Sequence, residues 1–364
     1  MRLFQNSGVY PGYRRRLDSL ARDCTTFSER KAAFLYDRYG ACHFLEPVLN
    51  GDASAFFTNG DDDILQKMWA RENGLPKSTP HDVILLSQIE SHRTEVFYNL
   101  DPMRYGSAFV RRLPASVKAT IAWRAAPSPG ADFSAYDRVV CNFPSILASY
   151  QKQGWRASYF APAHDPEMDE YAANDDRPID IIFVGTFSRH HVRRTKLLET
   201  IAGLASQFSV VMHLEASRLS QLAESPIGVI GPLRRFRRTK EVLAVSRSAV
   251  FGRELYSTLS RAKLVVNGAI DMAGHDRGNM RCWEALGLRG TMVSDVGAYP
   301  EGMVADSTFI AYDSLQSVLA QIERLLREPS RGTHIANSGF DMIRARYSKH
   351  MQFSAFRRMV SEIC

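Results

Sequence analysis

The stretch Ile179-Asp-Ile-Ile-Phe-Val-Gly-Thr186 decides the fold. It is apolar with little alternation, as a strand covered on both faces must be, because a clean period of two belongs to strands with one face in water. The strand is expected to run straight into Gly185 and Thr186 and then into a basic helical segment holding Arg189, His190, His191, Arg193, Arg194 and Lys196. A strand, a glycine turn and a helix open a βαβ unit, which brings the next strand back parallel. Downstream strands are expected at Val210-Val-Met-His-Leu214, Val229-Ile230, Lys263-Leu-Val-Val-Asn267, Thr291-Met-Val-Ser-Asp295 and Phe309-Ile-Ala-Tyr312. A helix from near Ser314 carries Leu315, Val318, Leu319, Ile322, Leu325 and Leu326 on one face. Two more helices are expected over residues 335–346 and 351–363.

Upstream the grammar repeats. Asp82-Val-Ile-Leu-Leu-Ser87, Ala119-Thr-Ile-Ala-Trp123, Arg138-Val-Val-Cys141 and Ala157-Ser-Tyr-Phe160 read as strands, and residues 144–153 read as a helix ending at Gly154, a residue suited to a left-handed cap. Residues 163–178 hold two prolines and a run of acids without hydrophobic period, the pattern of a linker. The expected class is α/β, with two facing Rossmann-like doubly wound parallel-sheet domains: residues 1–165, a linker over 166–178, and residues 179–334. Helices over 335–364 are expected to pack back on the first domain. Such an arrangement gathers strand carboxyl ends and helix amino ends around a ligand cleft.

Composition narrows the function classes. The 364 residues are 45% hydrophobic and 23% charged, enough for two ordinary cores, and neither Gly nor Pro recurs with a period, which excludes collagen-like, coiled-coil and disordered chains. No apolar run approaches the ~18 residues of a membrane span, and the first residues lack a cleavable signal, so a cytoplasmic location is expected. Five widely spaced cysteines without a C-x-x-C pair point to reduced thiols. No His, Cys or Asp cluster has metal spacing, so no metal is expected. The net charge of +7 is unevenly placed: residues 1–176 hold 20 basic and 22 acidic side chains, residues 177–364 hold 26 and 17. The second half therefore suits an anionic ligand.

The chemistry concentrates in Asp271-Met-Ala-Gly-His-Asp-Arg-Gly-Asn-Met-Arg-Cys-Trp-Glu-Ala-Leu-Gly287, between two expected strands. Asn279 reads as a helix N-cap, so Gly278, Asn279 and Met280 can present amides to a phosphate, and Arg281 on the first turn adds a fork of donors matched to phosphate oxygens. Glu284, one turn further on the same face, can accept hydrogen bonds from a ribose diol. The alternative is an ordinary i, i+3 ion pair on a solvated face.

These residues resemble the donor-binding end of GT-B-fold glycosyltransferases, in particular the CgeB-like branch of the group that includes the retaining enzymes. The resemblance rests on Asp276 and Glu284 eight positions apart, followed by Ala285 and Gly287, on Asn279-Met-Arg281 with Glu284-Ala-Leu286, and on Phe183-Val-Gly-Thr186, Gly252-Arg-Glu-Leu-Tyr256 and Tyr299-Pro-Glu301. Asp276 stands where the larger group has Glu. The resemblance implies a metal-independent transfer of a sugar from a nucleoside-diphosphate donor, with no further cofactor, to a glycan, protein or small-molecule acceptor. It places Gly185, Thr186, Arg189, Gly231, Leu233, Asp276, Gly278, Asn279, Met280, Arg281 and Glu284 around the donor. An epimerase of the same fold is the alternative enzyme. A binder of nucleic acid or another anionic polymer ranks last, because stacking aromatics are not interleaved with the basic residues.

A catalytic base is expected from the first domain. Glu90 and His92 follow the strand expected at Asp82-Val-Ile-Leu-Leu-Ser87, and Asp18 follows the Gly8-Val-Tyr-Pro-Gly12 loop. Asp61-Asp-Asp63 reads as a helix cap rather than a metal-binding D-x-D. The basic run over residues 234–240 reads as a surface loop able to touch a membrane surface or an acidic acceptor.

Overall fold

The computed structural model describes residues 1–188, 191–216, 218–225, 233, 236–268 and 273–364. They form two compact units, Met1–Ala163 with Lys349–Cys364, and His164–Ser348. The first contains β1 (Leu3–Ser7), α1 (Arg14–Leu20), α2 (Phe27–Tyr36), α3 (Glu46–Leu49), β2 (Ala55–Asn59), α4 (Asp63–Glu72), α5 (His81–Ser91), β3 (Val96–Asn99), α6 (Ser107–Val110), β4 (Ala119–Trp123), β5 (Arg138–Cys141), α7 (Pro144–Lys152) and β6 (Ala157–Tyr159). The second contains α8 (Met168–Ala172), β7 (Ile179–Phe187), α9 (Val192–Ala202), β8 (Val210–Ala216), α10 (Arg218–Glu224), α11 (Lys240–Val245), β9 (Ser246–Arg247), α12 (Gly252–Ser260), β10 (Ala262–Asn267), α13 (Met280–Gly287), β11 (Thr291–Asp295), β12 (Ile310–Tyr312), α14 (Leu315–Arg327) and α15 (Pro329–Arg346). The last helix, α16 (Lys349–Ser361), returns to the first unit.

Each unit is a six-stranded parallel sheet. The first has the order β2-β1-β3-β4-β5-β6, so the direction of travel reverses between β1 and β3; the second has β12-β11-β10-β7-β8-β9 and reverses between β7 and β10. Helices on both faces explain why the inner strands are buried along their whole length. In the second unit Ile181, Phe183, Leu264, Val266, Val293 and Ile310 from the sheet pack with Leu198 and Ile201 of α9 and Val318, Ile322 and Leu325 of α14. Ser314 starts α14 with a reciprocal capping box to Ser317.

Four expectations are corrected. Asp82-Val-Ile-Leu-Leu-Ser87 is not a strand but lies in α5, where Ile84, Leu85, Gln88 and Ile89 are buried at helical spacing and Ile84 joins Phe27, Leu65 and Trp69 in one cluster; a short apolar run fits either period until its partners are known. Gly185 and Thr186 are not a turn: β7 runs on to Phe187, paired with β8 as far as Ala216. Of the final helices only α16 joins the first unit, while α15 stays with the second, and the segment expected to be wholly linker contains α8.

Helix α16 is held by an unusual buried cation. Lys349, 4% exposed, donates from Nζ to the carbonyls of Ala41 (2.6 Å) and Phe44 (2.8 Å) and to Gln352 Oε1 (3.3 Å). Gln352 Nε2 donates to the carbonyls of Cys42 and Ala161, and Phe356 packs on Tyr98 and Phe160. All three ammonium donors are used, which makes burial of the charge tolerable without a carboxylate.

Candidate functional site

In a doubly wound sheet ligands collect outside the carboxyl ends of the strands where the winding reverses. In the second unit that point lies between β7 and β10, and four elements meet there. Asn267 ends β10 and Asn279 precedes α13. Their side-chain amides exchange two hydrogen bonds, of 3.1 and 3.0 Å, and Asn267 also donates to Ser294 Oγ at the end of β11. The Tyr299 hydroxyl donates to the carbonyl of Asp295 and accepts from Ser294 Oγ, both at 2.6 Å. This network fixes where α13 begins.

The extended backbone of Asn279 makes it the N-cap, as expected, yet its side chain is spent on Asn267 and gives the helix no side-chain cap. The first-turn amides thus lack the acceptor that caps most helices and suit an incoming anion. Gly278 precedes the cap with φ of 122°, a conformation that side chains disfavour. Arg281 and Glu284 do not lie on a solvated face: their side chains are 14% and 7% exposed. Arg281 Nη1 is 2.7 Å from Glu284 Oε2 but out of line for a hydrogen bond, and among the described residues neither its Nε nor its Nη1, both buried, has a hydrogen-bond partner. Buried polar groups are normally satisfied; two orphaned donors of one guanidinium at an uncapped helix start await an acceptor. Cys282, buried in the same network with Sγ on Asn279 Oδ1, has its thiol pushed up to about 12 by burial, so it packs rather than reacts.

Arginines not singled out for such roles in the sequence brace this edge. Arg194, only 9% exposed, donates to the carbonyl of Gly268 through Nε (3.1 Å) and Nη2 and to Thr186 Oγ1 through Nη1 (3.5 Å), and lies over the Phe183 ring. It ties the end of β7 to the end of β10 across the reversal. Arg277 grips Asp295 through Nε (2.7 Å) and Nη2 (2.7 Å). The loop around it is pinned by hydrogen bonds from the Arg277 amide to the Ala298 carbonyl and from the Ala298 amide to the His275 carbonyl. Asp276 sits in that bridge with Ala298, its carbonyl accepting from Arg277 Nη1. A pocket of about 370 Å³ opens on this edge, lined by Arg193, Arg194, Lys196, Arg277, Asp295 and Tyr312 among others, so positive charge prevails in it.

The structure therefore brings together Asp276, Gly278, Asn279, Met280, Arg281 and Glu284 on one side of the reversal, with Gly185 and Thr186 in β7 on the other. Leu233 is partly buried; Arg189 and Gly231 lie outside the described residues, as do Val229 and Ile230. Arg238, from the basic run, is not free for an acceptor: it grips Glu224 with two bonds of 2.6 Å.

The expected catalytic bases do not gather at the first unit's carboxyl edge. Because α5 runs against the strands, its end places Glu90 and His92 at the amino edge, where Arg2 Nε donates to the His92 carbonyl just before β1. His92 packs on Phe4 and Phe56 and shares a 3.0 Å hydrogen bond with Thr94 Oγ1; burial and then Arg2 lower its pKa to about 4. Glu90 is exposed. Asp18 lies on α1 in an ion pair with Arg30. The three acids after β2 divide: Asp61 takes the Val9 amide and Arg14, Asp62 binds the buried Arg30, and Asp63 pairs with Lys67 and His81. Asp62 is the N-cap of α4 by position only, since its carboxylate does not cap the helix. No group of three metal-ligating side chains occurs among the described residues.

A family model described as glycosyl transferase-like matches residues 213–355. Among solved structures, the Anabaena protein Alr3699/HepE in complex with UDP and glucose superposes with a TM-score of 0.60 at 11% identity over 100% of both chains. A glycosyltransferase from Rickettsia africae gives 0.56 at 10% identity over 99% of this chain and 98% of its own. The sucrose-phosphate synthase of Thermosynechococcus elongatus gives 0.50 at 10% identity over 85% and 82%. The chain has the GT-B fold, and part of it, mostly in the second unit, matches the glycosyl transferase-like family model. No curated protein matches it by sequence. The family match takes in β10, α13 and β11, the elements that build the site of this GT-B chain. Among the described residues, no helix is long and apolar enough to cross a membrane.

Proposed function

We propose that the protein transfers a sugar from a nucleoside-diphosphate sugar, held at the carboxyl edge of the second unit, to an acceptor held by the first unit. The observation that carries this reading is the buried Arg281–Glu284 ion pair at the uncapped start of α13, with two guanidinium nitrogens that make no hydrogen bond among the described residues. As the bond between the anomeric carbon and the diphosphate oxygen breaks, negative charge collects on the leaving diphosphate. Fixed amides oppose that charge without rearranging, and Arg281, once turned from Glu284 to the bound diphosphate, adds its donors, which supports transfer without a metal. Glu284 receives the ribose hydroxyls. A uridine diphosphate donor is favoured because the Anabaena structure of the same fold holds UDP and, in another crystal, UDP-glucose. Asn279, Arg281, Glu284 and Ala285 support the finer placement in the CgeB-like branch.

Calorimetry with UDP and UDP-glucose tests the reading. Micromolar binding that Glu284→Ala weakens about tenfold or more is the expected result; no binding of any nucleotide or nucleotide sugar would sink it. Turnover of the donor into an isomer with no acceptor present would establish the epimerase instead, since a transferase gives at most slow hydrolysis.

A further inference from the structure

The second unit carries another cationic pocket, at the opposite edge of its sheet. It encloses about 220 Å³ beside the starts of β10 and β11, with Arg177, Lys263 and Arg289 on its wall, Asp175 at its mouth, and Leu325 and Ala336 on its apolar side. The volume exceeds several-fold the ~30 Å³ share of one water. Arg177 is locked in place, Nη1 donating to the Ala262 carbonyl (2.8 Å) and Nη2 to the Leu288 carbonyl (3.1 Å). That uses two of the five N–H groups of the fork.

Arg289 stands just past α13, whose end is a Schellman motif: the Gly290 amide donates to the Ala285 carbonyl and the Arg289 amide to the Leu286 carbonyl. Position C′ of that motif is left-handed, and Arg289 takes it with φ of 54°, where glycine is the usual residue. Among the described residues its guanidinium pairs with Asp175, at 3.7 Å and with that carboxylate 93% exposed, while Lys263 is paired with Asp180. Two guanidinium groups therefore share one loosely held, solvated counter-charge.

We propose that this pocket binds a phosphate group, gripped by Arg177 and Arg289, as a site separate from the donor edge. Guanidinium forks suit phosphate oxygens bidentately, and the first turn of α15, which begins at Pro329 on the pocket wall, adds the positive end of an 18-residue helix. Burial, and then Arg289, hold the Arg177 guanidinium below its ordinary value, as expected where cations meet without a matching anion. The apolar side leaves room for the organic part of a small phosphate ester. None of this depends on the donor reading.

Calorimetry on the full chain with inorganic phosphate and with phenyl phosphate, each with and without saturating UDP, tests it, with Arg289→Gly as the variant. Glycine suits the left-handed position, so Arg289→Gly should melt at or above the wild-type temperature, and yet bind phosphate about tenfold or more weakly. Phosphate binding by the wild type should persist within about twofold in saturating UDP, which occupies the donor edge and leaves this pocket free. Tighter binding of phenyl phosphate than of the free ion assigns the site to an ester, and the reverse order assigns it to inorganic phosphate. Absence of phosphate binding by the wild type, unchanged binding in Arg289→Gly under saturating UDP, or loss of wild-type binding when UDP is added would each overturn the proposal.

Discussion

Replacing Arg281 by glutamine gives the sharpest test of the donor site, because the structure fixes both the size and the selectivity of the effect. Two buried nitrogens of this side chain, Nε and Nη1, make no hydrogen bond among the described residues, and each bond from a charged donor to a phosphate oxygen contributes about 1.5–3 kcal/mol. The guanidinium must shift away from Glu284 Oε2, 2.7 Å distant, and it is slightly open to water, so the lower end of the range applies to both bonds. The loss is then about 3 kcal/mol, or roughly 100-fold in the dissociation constant of UDP. Uridine reaches neither bond and should bind Arg281→Gln within about twofold of the wild type. Calorimetry with the two ligands at one ionic strength separates a phosphate contact from general damage, and near-UV circular dichroism checks the fold. If UDP weakens less than about fivefold, or UDP and uridine weaken together, Arg281 is not a diphosphate ligand and the reasoning from its orphaned donors is wrong.

Three further outcomes are expected. Lys349→Met should destabilise the first unit by about 3 kcal/mol, because the carbonyls of Ala41 and Phe44 lose a buried charged donor; a lower urea midpoint for the tyrosine and tryptophan signals checks it, and an unchanged midpoint denies the role of this lysine. His43 and His92 are held to about 3 and about 4, in each case mainly by burial, whereas histidine in an unfolded chain takes up a proton near 6.5. The unfolded state thus binds more protons between those values, so stability is fully present above about pH 6.5 and falls as the pH drops towards 4. His92→Phe, which keeps the packing on Phe4 and Phe56, should flatten part of that loss and leave sugar transfer intact; abolished transfer with UDP binding retained would restore His92 as a base. Arg194→Ala should lower the melting temperature of the second unit by several degrees, since the Gly268 carbonyl loses its donors and the Phe183 ring its cover, a loss of about 2 kcal/mol.

Much of the second unit was legible in the chain. Ile181, Phe183, Leu264 and Val293 are apolar without alternation because helices cover both faces of their sheet, and that pattern survives in sequence. The opening strands of the first unit escaped notice for the converse reason. β1 and β2 bury Gln5, Asn6, Thr58 and Asn59, and Gln5 is tolerable there only because it bonds the His43 carbonyl and the Leu45 amide, some forty residues away. Read alone, these positions look polar. α5 was missed because an apolar run as short as Asp82-Val-Ile-Leu-Leu-Ser87 satisfies either period, and the choice is made by its neighbours Trp69, Leu65 and Phe27.

The site divides in the same way. Asn279, Arg281 and Glu284 could be picked out by spacing, because an N-cap and the residues of the turn after it are local consequences of 3.6 residues per turn. By itself the sequence determined two parallel-sheet units, the helix start at Asn279 between two strands, and the surplus of positive charge in the second half. Only the tertiary structure decided that Arg281 and Glu284 are buried rather than solvated, that Arg194 spans β7 and β10, and that Glu90 and His92 face the wrong edge. Burial, hydrogen-bond satisfaction and the end of the sheet at which a side chain emerges depend on residues far apart in the chain, and no local pattern encodes them.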